Sequence, residues 1–428
     1  MVLQLFQPEH SDANSSDTES TTATCCRSCG QGRLKPVLSL GSTPLANALL
    51  AEADLSKPEK KWPLDLVRCE DCSLVQITET VPPESLFSDY AYFSSFSDTM
   101  VAHAKTVAMR LIEERELDQN SLAIEVASND GYLLQWYHQA GIPVLGIEPA
   151  KNIAEVAIRD RGVDTISEFF GSEIATRLAG EGKQADVIHA NNVLAHVADL
   201  NGVVAGFATL LKEHGRVIVE APYLGALIDH AEFDTIYHEH LCYFSLTALT
   251  QLFAKHGLEI VNVEQLAIHG GSLRIFAAHA GTAKVETAVN DLLAEEAGWV
   301  FDESHHVQFA RRVETLRKSL VECLSTLKNE GKRIVVYGAS AKGSTLLNYF
   351  GIGRDLIDYV VDRSTVKQGR YTPGTHLAIH APERLVVDQP DYCLLLTWNF
   401  SEEIMKQQQL YRERGGKFII PIPEVHVA

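Results

Sequence analysis

The sequence predicts an α/β protein with a doubly wound, mostly parallel seven-stranded sheet at its centre. A small zinc-binding domain precedes that sheet, and a second open α/β unit follows it. Three observations predict this. Strand and helix patterns alternate from Leu122 to Glu220. Two Cys-x-x-Cys pairs, Cys26/Cys29 and Cys69/Cys72, stand ahead of them. A new strand at Arg333–Tyr337 then opens another strand–helix alternation that runs to the C-terminus.

A chain of 428 residues is long enough for two or three domains. Hydrophobic content of 46% and charged content of 22% are ordinary for a soluble globular protein. No apolar run approaches the roughly 20 residues that span a bilayer. The net charge of −19 argues against nucleic acid or an anionic membrane as partner. Met1–Thr24, rich in Ser, Thr and acidic residues and lacking a signal-peptide pattern, is expected to be a disordered tail on a cytoplasmic protein.

In chain order, the zinc-binding domain is expected over residues 25–85. Each Cys pair holds two thiolates on one side of a tetrahedral zinc, and two pairs close a structural site with no open position. Cys26, Cys29, Cys69 and Cys72 are the expected ligands, with adjacent Cys25 an alternative to Cys26. Gly30 and Ser73 suit the tight turns of such knuckles. Pro82–Ser97 mixes aromatics and hydroxyls and reads as a loop folded over a pocket, followed by a helix at Met100–Glu116.

The central domain is expected over 86–283, with strands at 122–126, 144–147, 163–166, 186–190 and 216–220. Ala127–Gly131 is a small-residue turn, and Glu148 tips the next strand where ribose hydroxyls can be accepted. Dinucleotides and S-adenosylmethionine both use this geometry. A pyrophosphate wants a Gly-rich turn, whereas this one has only Gly131 and carries Asp130, which repels phosphate. The cationic sulfonium favours a nearby acid, so the turn favours S-adenosylmethionine, with Ser128, Asn129, Asp130, Gly131 and Glu148 as cofactor-binding candidates. Asn191, Asn192 and His196 follow the fourth strand and fall on the same side of the sheet. Leu258–Val263 and Ser272–Ala278 form a close strand pair, the antiparallel finish that separates a seven-stranded methyltransferase sheet from the six-stranded dinucleotide fold.

The most reactive segment is Tyr237-His238-Glu239-His240, inside an insertion at Asp229–Tyr243. It sets imidazole, carboxylate and phenol over the carboxyl ends of the strands. A histidine with an ordinary pKa near 6.5 is a base at neutral pH, and Glu239 is expected to orient a neighbouring imidazole. The segment lacks the i, i+4 spacing of metalloprotease histidines. Residues 284–330 read as a helical linker and 331–428 as the C-terminal α/β domain. There the loop Gly338–Ser344 opens a helix and carries Lys342, which suits an anion although it is not a P-loop. Trp398 and Asn399 close another strand and can pack against a sugar or base.

Taken together these pieces resemble the nucleotide-sugar C-methyltransferases of deoxysugar biosynthesis. The resemblance is carried by Cys26-x-x-Cys29, Pro44-Leu-Ala-Asn47, Cys69-x-x-Cys72, Tyr92-Phe-Ser-Ser95, Ser128-Asn-Asp-Gly131 and Gly146-Ile-Glu-Pro149. It continues through Asn191-Asn192 with His196, Tyr237-His-Glu-His240 and Gly338-Ala-Ser-Ala-Lys-Gly343. It implies a class I S-adenosylmethionine domain and a C-terminal domain that grips the nucleotide diphosphate through Gly338, Ser340 and Lys342. The implied substrate is a nucleotide-linked 4-keto-hexose, commonly of thymidine diphosphate, methylated at carbon 3. It also implies His240 as base, Tyr237 and Glu239 as its partners, Tyr92 and His196 near the sugar, a structural Zn2+, and a monomer or weak homo-oligomer. An O- or N-methyltransferase would keep the sheet without enolate chemistry. A nicotinamide oxidoreductase would need Gly-x-Gly-x-x-Gly, which neither α/β unit has.

Overall fold

The computed structural model describes residues 20–81 and 94–428. Residues 1–19 and 82–93, with Tyr92 and most of the expected pocket loop, lie outside the described residues. Thr21–Thr22, expected in the tail, pair with Glu79–Thr80 as a short antiparallel ribbon.

The central sheet has seven strands, in the order Leu258–Leu266, Ser272–His279, Leu211–Pro222, Ala185–Asn191, Ala123–Val126, Val144–Ile147 and Thr165–Ile166. Ser272–His279 runs antiparallel to both its neighbours, while the other neighbouring pairs are parallel. The expected finish is therefore present. Ala123–Val126 is buried at every position, as a parallel strand covered on both faces requires. Helices follow the local signals: Ser97 caps Asp98–Glu114 by accepting from the Met100 N–H, and Gly162 at φ 64° ends Lys151–Arg161.

The N-terminal sheet pairs Leu34–Thr43, Trp62–Cys69 and Val75–Ile77 antiparallel. Its fourth strand is Cys242–Tyr243, the end of the reactive insertion, which pairs with Val75 and Gln76. The insertion is thus anchored in the zinc-binding domain. The long helical stretch divides into Thr287–Glu296 and Glu303–Asn329. The C-terminal sheet has six strands, with Ile334–Tyr337 between Val360–Val361 and Tyr392–Leu395. The strand Val360–Val361 is shorter than the apolar run at 357–361 that contains it. Ile379–His380 and His426–Val427 complete the edges.

Candidate active site

The cofactor turn is built on unusual backbone. Ala127, Asn129 and Gly131 all have positive φ, at 54°, 49° and 76°, which folds the chain back on itself within five residues. A Cβ at Gly146 would lie 2.5 Å from Ser128 Oγ, so that glycine is what lets the turn seat against the second strand. Glu148 accepts from the N–H groups of Asn129 at 3.0 Å and Ala150 at 2.9 Å. Burial pushes its carboxyl up to about 7 despite those two donors. Asp130 is ion-paired with Arg161 at 3.4 Å, so the charge expected to meet a sulfonium is matched within the protein. Asn191 is buried with its Oδ1 unpartnered among the described residues, and Asn192 turns at φ 56°. The Ser94 N–H donates to Asn129 Oδ1 at 2.8 Å, so the chain emerging from 82–93 meets this turn. An acid-tipped second strand, a folded-back turn and an orphan amide oxygen fit an adenosyl group.

His103, Glu220 and Arg274, none of them singled out in the sequence, lock the helix Asp98–Glu114 to the sheet. Glu220 meets His103 at 3.0 Å and Arg274 at 2.7 Å. Strand polarity gave no sign of this network, because its members come from three separated elements.

The insertion brings the catalytic candidates together. His240 Nδ1 lies 3.0 Å from the Thr235 carbonyl oxygen. That oxygen can only accept, so Nδ1 carries the proton and Nε2 the lone pair. Tyr237 donates its hydroxyl to Nε2 at 2.9 Å. The His196 ring meets His240 edge-on, with centroids 4.7 Å apart, and burial holds it well below the ordinary histidine range. Glu239 departs from expectation: its carboxylate accepts from Asn47 Nδ2 at 2.7 Å, and Thr235, not Glu239, orients the imidazole. Burial raises Glu239 to about 7. His238 faces away, 3.0 Å from the Pro63 carbonyl. Asn47 was visible only within its four-residue motif, and nothing in the sequence marked the Thr235 carbonyl.

In the C-terminal unit, Gly338 at φ 99° leaves no room for a Cβ, which would lie 2.7 Å from Thr397 Cγ2. Ser340 spends its hydroxyl capping the helix Ala341–Phe350 by accepting from the Gly343 N–H. Lys342 Nζ is buried 5.0 Å from the Trp398 ring centroid. Trp398 donates its indole N–H to Asp234 at 2.8 Å, so that donor serves the insertion instead of a ligand. Asn399 sits half-buried beside it. Asp362 at the second strand's tip accepts from Ala339 N–H at 2.7 Å and Ser364 N–H at 2.8 Å. This repeats the pattern of Glu148 with Asn129 and Ala150.

The sulfurs of Cys26, Cys29, Cys69 and Cys72 all lie within 4.8 Å of one another, and Cys25 is exposed outside the cluster. The knuckle turns fall at Gly30 and Ser73, with φ 78° and 63°. A hydrogen bond from Cys72 holds the Cys26 thiol down at about 5. Four converging soft donors with no fifth position fit a structural zinc.

Three family models match in chain order. They are a zinc binding domain at residues 26–87, a methyltransferase domain at 100–263 and a C-methyltransferase C-terminal domain at 267–423. The C-methyltransferase NovU of Streptomyces niveus is 39% identical over 404 residues, covering 94% of this chain and 96% of that one. The chain belongs to the C-methyltransferase family. It is an S-adenosylmethionine-dependent enzyme with a class I methyltransferase fold and an N-terminal zinc-binding domain. The ubiquinone biosynthesis O-methyltransferase of Bartonella quintana is 30% identical over 101 residues, 24% of this chain and 41% of its own. Magnesium protoporphyrin IX methyltransferase from Synechocystis PCC 6803 with bound SAH is 17% identical, covering 45% of this chain and 90% of its own. Its TM-score against this chain is 0.34. Among the described residues, no helix of this C-methyltransferase is long and apolar enough to cross a membrane.

Proposed function

We propose that this C-methyltransferase removes the proton from carbon 3 of a nucleotide-linked 4-keto-hexose and methylates the resulting enolate. The observation that carries the reading is the His240–Tyr237 pair at 2.9 Å, with the imidazole's other nitrogen bound to a carbonyl. The adjacent ketone acidifies the carbon 3 hydrogen. As the Tyr237 hydroxyl gives up the Nε2 lone pair, His240 Nε2 takes that proton, and the electrons of the C–H bond pass into the enolate. S-adenosylmethionine, when bound, would supply an electrophilic sulfonium methyl: the enolate carbon takes that methyl as the S–CH3 bond breaks, and the bonding pair stays on sulfur in the S-adenosylhomocysteine that leaves. His196, kept neutral by burial, adds no charge against the imidazolium formed beside it. Glu239 Oε2 has no partner among the described residues. With its carboxyl near 7, Glu239 can hold a proton and donate it to the developing oxyanion.

We assign the diphosphate, of thymidine by resemblance, to the loop of Gly338, Ser340 and Lys342, with Asn399 nearby. The Asp362 brace supports a nucleoside there, since it repeats the brace at the cofactor turn. Ser128, Asn129, Asp130, Gly131, Glu148, Asn191 and Asn192 remain the proposed cofactor residues, and Tyr92 is retained near the sugar on the resemblance alone.

The test follows deuterium at carbon 3 of a thymidine-diphospho-4-keto-hexose. The parent enzyme is expected to release it and His240→Ala to retain it, with turnover down about 100-fold or more and S-adenosylhomocysteine affinity within about threefold. Methylation by the parent with deuterium left in place points instead to an O- or N-methyltransferase, and unchanged kcat in the variant removes His240 from the mechanism.

A further inference from the structure

The base is held by a segment that belongs to the C-terminal domain as much as to its own. Phe233, Asp234 and Thr235 form a single helical turn. Phe233 is fully buried and stacks on Phe350 at 4.8 Å, with Tyr349 at 5.7 Å. Both partners lie on the helix Ala341–Phe350, which begins at the anion loop. Asp234 is fully buried and takes the Trp398 N–H at 2.8 Å, and the charge of Lys342 acts on its carboxylate. Thr235 presents its carbonyl to His240 Nδ1 at 3.0 Å, and the Tyr243 hydroxyl approaches the same oxygen at 3.5 Å.

We propose that Asp234 and Trp398 are positioning residues for the His240 base, the turn Phe233–Thr235 transmitting the seating of the C-terminal domain to the imidazole. The proposal rests on His240 being the base. A buried carboxylate is expensive to desolvate, and an apolar pair of similar volume would hold two domains together as well or better. What the hydrogen bond adds is direction. The Trp398 N–H fixes the Asp234 side chain, hence the peptide plane whose carbonyl follows one residue later, hence the imidazole that this carbonyl orients. Misplacing a catalytic group by about 1 Å costs on the order of 100-fold in rate. A nucleotide sugar gripped by the C-terminal domain thereby spends remote binding energy on aligning the base.

Trp398 thus has a different part from the one expected of it. With its N–H on Asp234 and the Lys342 ammonium over its ring, it acts through the insertion and not as a platform for a sugar.

The experiment is a steady-state comparison on the full-length zinc-loaded enzyme with a thymidine-diphospho-4-keto-hexose and S-adenosylmethionine. Trp398→Phe keeps the ring and removes the donor. It is expected to lower kcat about tenfold while KM for the sugar moves less than about threefold. Asp234→Asn, which still offers an oxygen to the indole, is expected to retain several times more kcat than Asp234→Ala. A Trp398→Phe enzyme with raised KM and intact kcat makes Trp398 a substrate contact and overturns the proposal. So does equal loss in the two Asp234 variants, or a Trp398→Phe kcat within twofold of the parent. Deuterium release from carbon 3 separates this failure from that of the underlying reading: if His240→Ala still releases it, the base assignment falls, whatever the Trp398 result.

Discussion

His240 meets a carbonyl with one ring nitrogen and a phenol with the other, and that asymmetry leaves Nε2 as the one atom that can serve in the proposed role of base. Glu239, beside it in sequence, is tuned differently. Its folded carboxyl sits near 7 against an ordinary 4.5, because burial disfavours the charge. Between those values the folded state keeps a proton that the unfolded state has lost. The resulting stability is present in full below about pH 4.5 and is lost as pH rises through about 7, to the extent of about 3 kcal/mol. Glu239→Gln is therefore expected to melt higher than the parent at pH 8 and equally at pH 5. Scanning calorimetry at the two pH values checks this, and an equal difference at both would contradict it. Residue types at this site were legible in the sequence because His, Glu and Tyr rarely crowd four positions without a reason. Their partners were not: a backbone carbonyl has no letter of its own, and the Asn47–Glu239 bond spans 192 positions.

At the level of elements, the central strands were readable because a parallel strand covered on both faces leaves a short, unbroken apolar run. The C-terminal strands blurred where packing, not pairing, demanded apolar residues: Ile357 and Tyr359 are buried outside the two paired positions at Val360–Val361. No periodicity could have revealed Cys242–Tyr243, a two-residue strand that closes a sheet in another domain. That strand joins the sheet of the cysteine knot to the insertion proposed to carry the base. We expect about one zinc per chain, and Cys72→Ser to lose it. With the N-terminal sheet loosened, the insertion loses the edge at Val75 and Gln76 that holds it. The kcat is then expected to fall tenfold or more, while S-adenosylhomocysteine still binds through the intact central sheet. Metal analysis, calorimetry and turnover on one preparation decide the matter. Full kcat in metal-free enzyme would sever the link between knot and base.

Across the whole molecule, three units meet at fifteen residues, Asp229–Tyr243. Glu59 of the N-terminal unit accepts from His376 and the Gly374 N–H of the C-terminal one, so contact between the outer units does not pass only through the insertion. The order of domains could be read from composition and cysteine spacing. Their dependence on one another could not, because it lies in side chains that cross from one unit to the next. Replacing residues 331–428 by the equivalent stretch of a family member is expected to lower kcat at least tenfold. Carrying that relative's insertion across in the same exchange should recover most of the loss, as a head-to-head assay of the two chimeras would reveal. If both chimeras turn over alike, the units are independent. The turn Phe233–Thr235 is written in the middle of the chain yet seated on the helix Ala341–Phe350. For anyone recombining these enzymes, the seam runs through the interior of the methyltransferase segment, and fragments cut at the visible linker carry the C-terminal helix away from the turn that is seated on it.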